Sequence, residues 1–255
     1  MTENVTKLQA LWSGVRNPLP AVFDRLGLGR SPYQLQLNDG HVLELRPRAG
    51  DLFALFEIML RGDYMAAGQH ISPGATVIDV GANIGCFTVL ASRAVGPSGR
   101  VIAIEPDERT YAQLLKNIQM NRLSNVTPLQ LALGETQGSV TLHAETAALF
   151  SSIFSSVNGR AIQGRQESVR MTTLSALMEE QAVETCEYLK LDCEGAEHGI
   201  IQSLSCELAA RVTQITLEIH KVPGFDVANL VRKLETLGYR RVGAGPLPYY
   251  RRISG

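Results

Sequence analysis

The 255-residue chain predicts an α/β fold, a mainly parallel sheet with helices on both faces. Three observations predict it. From Thr76 onward, short apolar runs alternate with longer segments of helical period, the rhythm of consecutive strand–helix units. The runs VIDV and VIAI are apolar throughout, as in strands buried on both sides. The chemically informative residues fall at the carboxyl ends of such runs, where open α/β sheets bind their ligands.

The elements follow in order. Residues 1–29 have a loose helical period, broken by Pro18 and Pro20. YQLQLNDGHVLELRP, residues 33–47, alternates apolar and polar on both sides of Asn38-Asp39-Gly40 and predicts a hairpin. DLFALFEIMLRGDYM, residues 51–65, predicts an amphipathic helix. Residues 1–70 are therefore read as an N-terminal cap of helices and a hairpin, and 71–255 as the main domain. ATVIDVG is its first strand, and CFTVLASRAV the helix after it, stopped near Gly96-Pro97. RVIAIEP and ERTYAQLLKNIQMN repeat the unit. VTPLQLALG predicts a third strand and SVTLHAE a fourth. Residues 145–168, rich in Ser, Gly and Gln, predict an irregular loop; its ALFSSIFSS, 148–156, makes it a candidate lid over an apolar acceptor. A helix in SVRMTTLSALMEEQ, the strand YLKLDCEG, the helix AEHGIIQSL, the strand VTQITLEIH and the helix DVANLVRKLETLG come next. YRRVG and PYYRRI close the chain as a hairpin.

Composition narrows the function. Basic and acidic residues number 24 and 25, a formal net charge of −1, and nothing in that balance suggests an electrostatic grip on nucleic acid, which usually needs a basic face. Arg240, Arg241, Arg251 and Arg252 read as a solvated rim. Cys86, Cys186, Cys193 and Cys206 form no C-x-x-C pair and no histidines cluster near them, which argues against zinc. Cys86 and Cys193 read as packed thiols, and the pattern fits a reducing compartment. The N-terminus lacks a signal-peptide core, and no run of about 18 apolar residues occurs. The expectation is a soluble, cytoplasmic protein.

VIDVGANIGCFTV, residues 77–89, ends a strand in a glycine turn that opens a helix. It offers Asp79, Gly81, Asn83 and Gly85, and lacks the second and third glycines of the dinucleotide fingerprint. Glycines allow a tight turn and close backbone approach, and the helix start offers N–H groups to an anion. An ionised Asp79 would repel a pyrophosphate. S-adenosylmethionine has no phosphate but carries a sulfonium, an ammonium and a carboxylate, and the loop is read as its site. Glu105, at the tip of the next strand, is placed to accept both hydroxyls of an adenosine ribose.

LKLDCEGAEHG, residues 189–199, gathers Asp192, Glu194, Glu197 and His198 around Gly195. Lys190, Asp192 and Glu194 share a parity and would share a face if the strand persisted. Asp192 is placed to meet the cofactor ammonium or the acceptor. Glu197 reads as an acid at a helix start, and His198 as exposed. In LEIH, Glu218 and His220 lie two apart. If the strands are neighbours, Asp192, Glu218 and His220 converge. Either His220 or an acid serves as general base for an acceptor hydroxyl, or the three hold a divalent metal, the less favoured arrangement.

Taken in order, VIDVGANIGCFTV, VIAIEP, LQLALGE, LKLDCEGAE and LEIH resemble the FkbM family of S-adenosylmethionine-dependent methyltransferases, over roughly residues 50–220. LRGDY, 60–64, and DLFALFEIM before it are similar to that family's lead-in segment. The resemblance implies a class I methyltransferase (Rossmann-like) fold, with seven strands of which one is antiparallel. It implies cofactor contacts at Asp79, Gly81, Asn83, Gly85, Glu105 and Asp192, with Ala82 and Pro106 beside them and Tyr64 as a cover. It implies O-methylation, often of sugars or of polyketide and peptide natural products. Cys86 and Cys193 depart from the family's usual residues there. The mechanism expected is in-line transfer with His220 as base and Asp192 orienting cofactor and acceptor. N-methylation, an NAD-dependent oxidoreductase and a non-catalytic cofactor-binding protein stay as alternatives. A nucleic-acid methyltransferase is disfavoured, since no aromatic N-P-P-Y type motif occurs. A homodimer stays open.

Overall fold

The computed structural model describes residues 2–65, 69–145, 151–245 and 247–253. The cap comes first. Helices α1 (Thr2–Gly14) and α2 (Leu19–Arg25) precede the hairpin strands β1 (Tyr33–Gln36) and β2 (Val42–Leu45), which pair antiparallel around Asp39-Gly40. Helix α3 (Asp51–Leu55) begins where Asp51 takes the backbone N–H of Arg46 (2.7 Å) and two contacts from its guanidinium (3.0 and 2.8 Å). It continues as a π-helical turn, Phe56–Arg61, and stops at left-handed Gly62. Wide turns of this kind are frequent at functional sites, and Glu57 and Ile58 of this one line the cleft described below.

The main sheet begins with β3 (Thr76–Val80), α4 (Cys86–Val95), β4 (Arg100–Ile104), α5 (Glu108–Met120) and β5 (Val126–Leu129). The strands β6 (Ala132–Leu133), β7 (Gly138–Glu145), β8 (Ser151–Ser152), β9 (Ser156–Val157), β10 (Arg160–Ala161) and β11 (Gly164–Thr172) follow. Then come α6 (Leu174–Glu180), β12 (Cys186–Leu191), α7 (Glu197–Ser203), α8 (Cys206–Ala210), β13 (Val212–Leu217), α9 (Val227–Thr236), β14 (Tyr239–Arg241) and β15 (Tyr249–Arg252). Seven strands form one sheet in the order β14-β15-β13-β12-β3-β4-β5, and β15 runs antiparallel to both its neighbours. The order reverses between β3 and β12, and a crevice opens there at the carboxyl ends. This is the class I methyltransferase topology.

Alternation in the sequence maps onto burial. Val77, Ile78, Val80, Val101, Ile102 and Ile104 are all essentially inaccessible, as central strands covered on both faces require. One apolar cluster joins Leu11, Leu35, Leu43 and Leu55 of the cap to Val77, Phe87 and Tyr188 of the main sheet, so cap and sheet share a core. Among the described residues no helix is long and apolar enough to cross a membrane.

Two expectations need correction. SVTLHAE is a strand but does not join the main sheet: β7 belongs to a separate sheet of order β6-β11-β7-β8. The irregular loop expected over 145–168 is largely strand where described. Gly164–Thr172 pairs with Gly138–Glu145 through eight residues of antiparallel register. In GRQESVRMT both faces are partly wet and apolar residues are few, so a hydrophobic period has nothing to mark. Residues 146–150 lie outside the described part.

Candidate active site

The cleft is built on three strand ends. After Val80 the chain turns at Gly81, with φ +74°. A Cβ there would lie 1.7 Å from the backbone oxygen of Asp192, so the β12 end leaves no room for a side chain. The Gly81 and Ala82 N–H groups both donate to the Ile104 carbonyl (3.0 and 2.9 Å). Asn83 takes a left-handed φ of +52°, which short polar side chains tolerate, and its Oδ1 accepts the N–H of Ile84 at 2.7 Å. Gly85, φ +95°, packs on Leu114 and starts α4.

Glu105 follows β4. Its two oxygens accept the N–H groups of Asn83 (2.9 Å) and Asp107 (3.0 Å). Burial is the largest influence on it and lifts its pKa to about 7, although these N–H groups pull the other way. The carboxyl is thus aimed and nearly dry, as a receptor for a ribose diol must be. Glu105→Gln is expected to weaken S-adenosylhomocysteine about ten- to hundredfold by calorimetry. Because the ionised form is the acceptor, wild-type affinity should also decline as the pH falls below about 7. Unchanged affinity in the glutamine variant would remove Glu105 from the site.

Asp79 does not line the cleft, where a cofactor contact was expected of it. It is fully buried: Oδ2 accepts the Thr88 hydroxyl at 2.6 Å, and Oδ1 lies 3.0 Å from the Lys190 ammonium. Its charge is met inside the protein by Lys190 and does not front the cleft directly. What bears on the ligand is the cleft wall itself. Glu57, Glu105, Asp192, Glu194 and Glu218 line it, against Lys190 as the basic side chain among the described residues. Burial raises Glu57, Glu105, Glu194 and Glu218, so near neutral pH they act as hydrogen-bonding carboxyls as much as charges, which suits a ligand offering hydroxyl and ammonium donors.

Of the residues expected at the cofactor, Tyr64, Gly81, Ala82, Asn83, Glu105, Pro106 and Asp192 line the cleft, and Glu218 joins them. Gly85 shapes the loop from beneath. The Tyr64 hydroxyl donates to Asp192 Oδ2 at 2.7 Å and fixes the carboxylate that faces the space. The wall fits S-adenosylmethionine: Glu105 would hold its ribose, the Gly81 turn its backbone, and Asp192 its charged amino-acid end. The accessory sheet is tied to both ends of the cleft. Arg165 of β11 pairs with Asp107, and the Ser152 hydroxyl donates to the Glu194 carbonyl at 2.5 Å.

Past β12 and β13 the strands have ended, so the parity expected for Lys190, Asp192 and Glu194 does not hold. Glu194 is left-handed, φ +52°, a conformation that costs a side-chain residue about 1–3 kcal/mol and gathers at functional sites. His220 is buried behind the acids. Its Nδ1 is 3.2 Å from Glu197 Oε1, and its Nε2 is 3.3 Å from Glu194 and 3.7 Å from Glu218. Burial alone would lower its pKa, but the hydrogen bond to Glu197 and the charges of Glu194, Glu197 and Asp192 raise it to about 9. These acids favour the imidazolium form of His220, and the ring lies behind the cleft wall rather than lining it, where a base was expected. Glu197 does open α7, yet its carboxylate is wholly buried, accepting the N–H groups of Gly195 (2.9 Å) and His220 (2.7 Å). His198, expected on the surface, is 2% exposed, and its Nε2 meets the His220 carbonyl at 2.7 Å.

Ligand atoms of Asp192, Glu218 and His220 do lie within 4.8 Å of one another. Both ring nitrogens of His220 already face carboxylates, so a metal there would have to displace a proton. Burial, then Asp192, raises Glu218 to about 7; burial, outweighing His220, raises Glu194 to about 8. Lys190, Glu194 and Glu57 are the site residues whose roles the sequence reading did not assign. A lysine flanked by leucines in a strand buried on both faces needs a counter-charge, and that signal was available in LKLD.

The chain is similar to proteins of known kind. Residues 79–241 match the methyltransferase FkbM domain. The AMB antimetabolite synthetase AmbE of Pseudomonas aeruginosa is 26% identical over 203 residues, 64% of this chain and 9% of that protein's length. The 31-O-demethyl-FK506 methyltransferase FkbM of Streptomyces tacrolimicus is 26% identical over 203 residues, 69% of this chain and 77% of its own. Among solved structures, fibrillarin of Aeropyrum pernix with natively bound S-adenosyl-L-methionine aligns with a TM-score of 0.45 at 14% identity, over 87% of this chain and 94% of that one.

Proposed function

We propose that this chain, which belongs to the methyltransferase FkbM family, methylates a hydroxyl on a small-molecule acceptor, a sugar or a polyketide or peptide natural product. The family makes S-adenosylmethionine-dependent methyl transfer the reaction class. The name of the Streptomyces tacrolimicus relative specifies an O-demethylated acceptor, which supports oxygen as the receiving atom. The net charge of −1 supports a small acceptor over a nucleic acid.

One observation carries the mechanism: the Glu218 carboxyl lines the cleft 3.7 Å from the buried His220 ring, and burial raises its pKa to about 7. S-adenosylmethionine supplies an electrophilic methyl when bound. Asp192, held by Tyr64, orients the charged end of the cofactor. Glu218 takes the hydroxyl proton as the new C–O bond forms and the C–S bond breaks. A base with a pKa near the working pH serves this step best. His220 keeps its proton throughout and holds Glu194 and Glu197 in place. The acid-rich wall would also seat an amine, which keeps nitrogen as the second acceptor atom.

The test is binding and label transfer on the purified protein. S-adenosylmethionine and S-adenosylhomocysteine should bind and NAD should not. Label from the methyl group should pass to alcohols in a panel of matched alcohols and amines, undiminished by EDTA. Binding of NAD alone would overturn the reaction class, and transfer confined to amines would move the reading to nitrogen. Loss of turnover in EDTA, restored by a divalent cation, would return Asp192, Glu218 and His220 to a metal role.

A further inference from the structure

The buried cation beneath the cleft is more than structural filling. Lys190 is 1% exposed, in the centre of the sheet. Its ammonium lies 3.0 Å from Asp79, donates to the Gly81 carbonyl at 2.9 Å, and stands 3.7 Å from Asp192. The rings of Tyr64 and Phe87 flank it at 5.3 and 5.9 Å. Of these three charges, Lys190 and Asp192 line the cleft and Asp79 does not. Asp79 is thus a dedicated counter-ion, and the cleft feels a cation and a carboxylate side by side, next to the Gly81 turn.

We propose that Lys190 is a positioning residue that sets the charge felt at the cofactor's sulfur, offsetting Asp192 so that the sulfonium is held no more tightly than the neutral thioether product. The inference rests on the methyltransferase reading. Its logic is differential binding: methyl transfer removes positive charge from sulfur, so a nearby fixed cation favours the state after transfer over the state before it. Asp79 tunes that cation from behind, and Thr88 fixes Asp79.

The experiment compares the affinities of S-adenosylmethionine and S-adenosylhomocysteine by calorimetry. Lys190→Met alone leaves Asp79 buried and unpaired and is set aside for stability reasons. Asp79→Asn keeps an oxygen for Thr88 and leaves Lys190 uncompensated. The double variant Lys190→Met/Asp79→Asn removes both buried charges and leaves Asp192 bare. The affinity ratio should move about tenfold against S-adenosylmethionine in Asp79→Asn, and about tenfold toward it in the double variant. A structural role alone would weaken both ligands alike. Any pattern other than opposite shifts, in variants shown folded by circular dichroism, overturns the proposal. Wild-type protein that binds neither ligand would instead sink the methyltransferase reading on which it stands.

Discussion

Gly81→Ala is expected to abolish cofactor binding while leaving a folded protein. The added Cβ would sit 1.7 Å from the Asp192 oxygen and 2.7 Å from its carbonyl carbon. Both are backbone atoms at the end of β12, with no side chain to swing aside. The loop has little freedom to retreat. Gly81 and Ala82 are tied to Ile104 at 3.0 and 2.9 Å, and the Asp192 N–H is tied to Val80 at 3.1 Å. Relief must come from parting β3 and β12 at their tips, where the cofactor would lie. Left-handed backbone adds about 1–2 kcal/mol for any residue with a Cβ, and overpacking about 1–3 kcal/mol. A melting temperature roughly 5–10 °C lower should result, with affinity for S-adenosylhomocysteine reduced at least about a hundredfold. Gly74→Ala separates the two causes. Gly74 is also left-handed, φ +83°, but its nearest neighbour to a Cβ is the Ser98 hydroxyl at 3.6 Å. That variant should lose a little stability and no affinity. Wild-type affinity in Gly81→Ala would mean that the turn is not the cofactor's seat.

The sequence made the frame of the site legible because its signals were local. VIDV and VIAI are buried on both faces, and Asp107, which caps α5 by accepting the Thr110 N–H at 2.9 Å, marks the helix start within three residues. Glu105 sits at a strand tip wherever that strand is placed, so its position needed no tertiary information. Charges behaved otherwise. Asp79 and Lys190 lie far apart in sequence and meet only when β3 and β12 become neighbours, paired Asp79 to Lys190 in register. From the sequence Asp79 is an open acid at a loop; in the fold it is half of a buried pair. The argument from repulsion therefore failed on Asp79, and Asp192 is the acid beside Lys190 that lines the cleft. His220 failed for the same reason. Its protonation depends on Glu194 and Glu197, brought to it by α7 and by the chain before it, and no spacing within LEIH reports that. The accessory strand β11 was missed for a different cause, since a wet strand carries no apolar period.

Glu218→Gln is expected to cost about 10²–10⁴-fold in kcat, the range of a general base, with S-adenosylhomocysteine affinity within about threefold of wild type. The pH profile distinguishes a base from a mere contact. Glu218 has its pKa raised to about 7, so below that pH it carries a proton and cannot take the acceptor's. Wild-type kcat should climb about tenfold per unit up to about 7, and the glutamine variant should lose that limb. A second limb belongs to His220. Its pKa is raised from 6.5 to about 9, so its pairing with Glu197 supplies stability that is full below 6.5 and lost as the pH rises through about 9. Above that value the acids face a neutral ring, repel one another, and loosen the wall that holds Glu218. The rate should therefore fall near pH 9 together with thermal stability, and it should do so in Glu218→Gln as well, because the imidazolium is untouched there. A glutamine variant that kept the limb near 7 would show that the titrating group is another carboxyl, with Glu194 the next to test. A variant with wild-type kcat would leave the acceptor's proton to solvent and reduce Glu218 to a wall of the cleft.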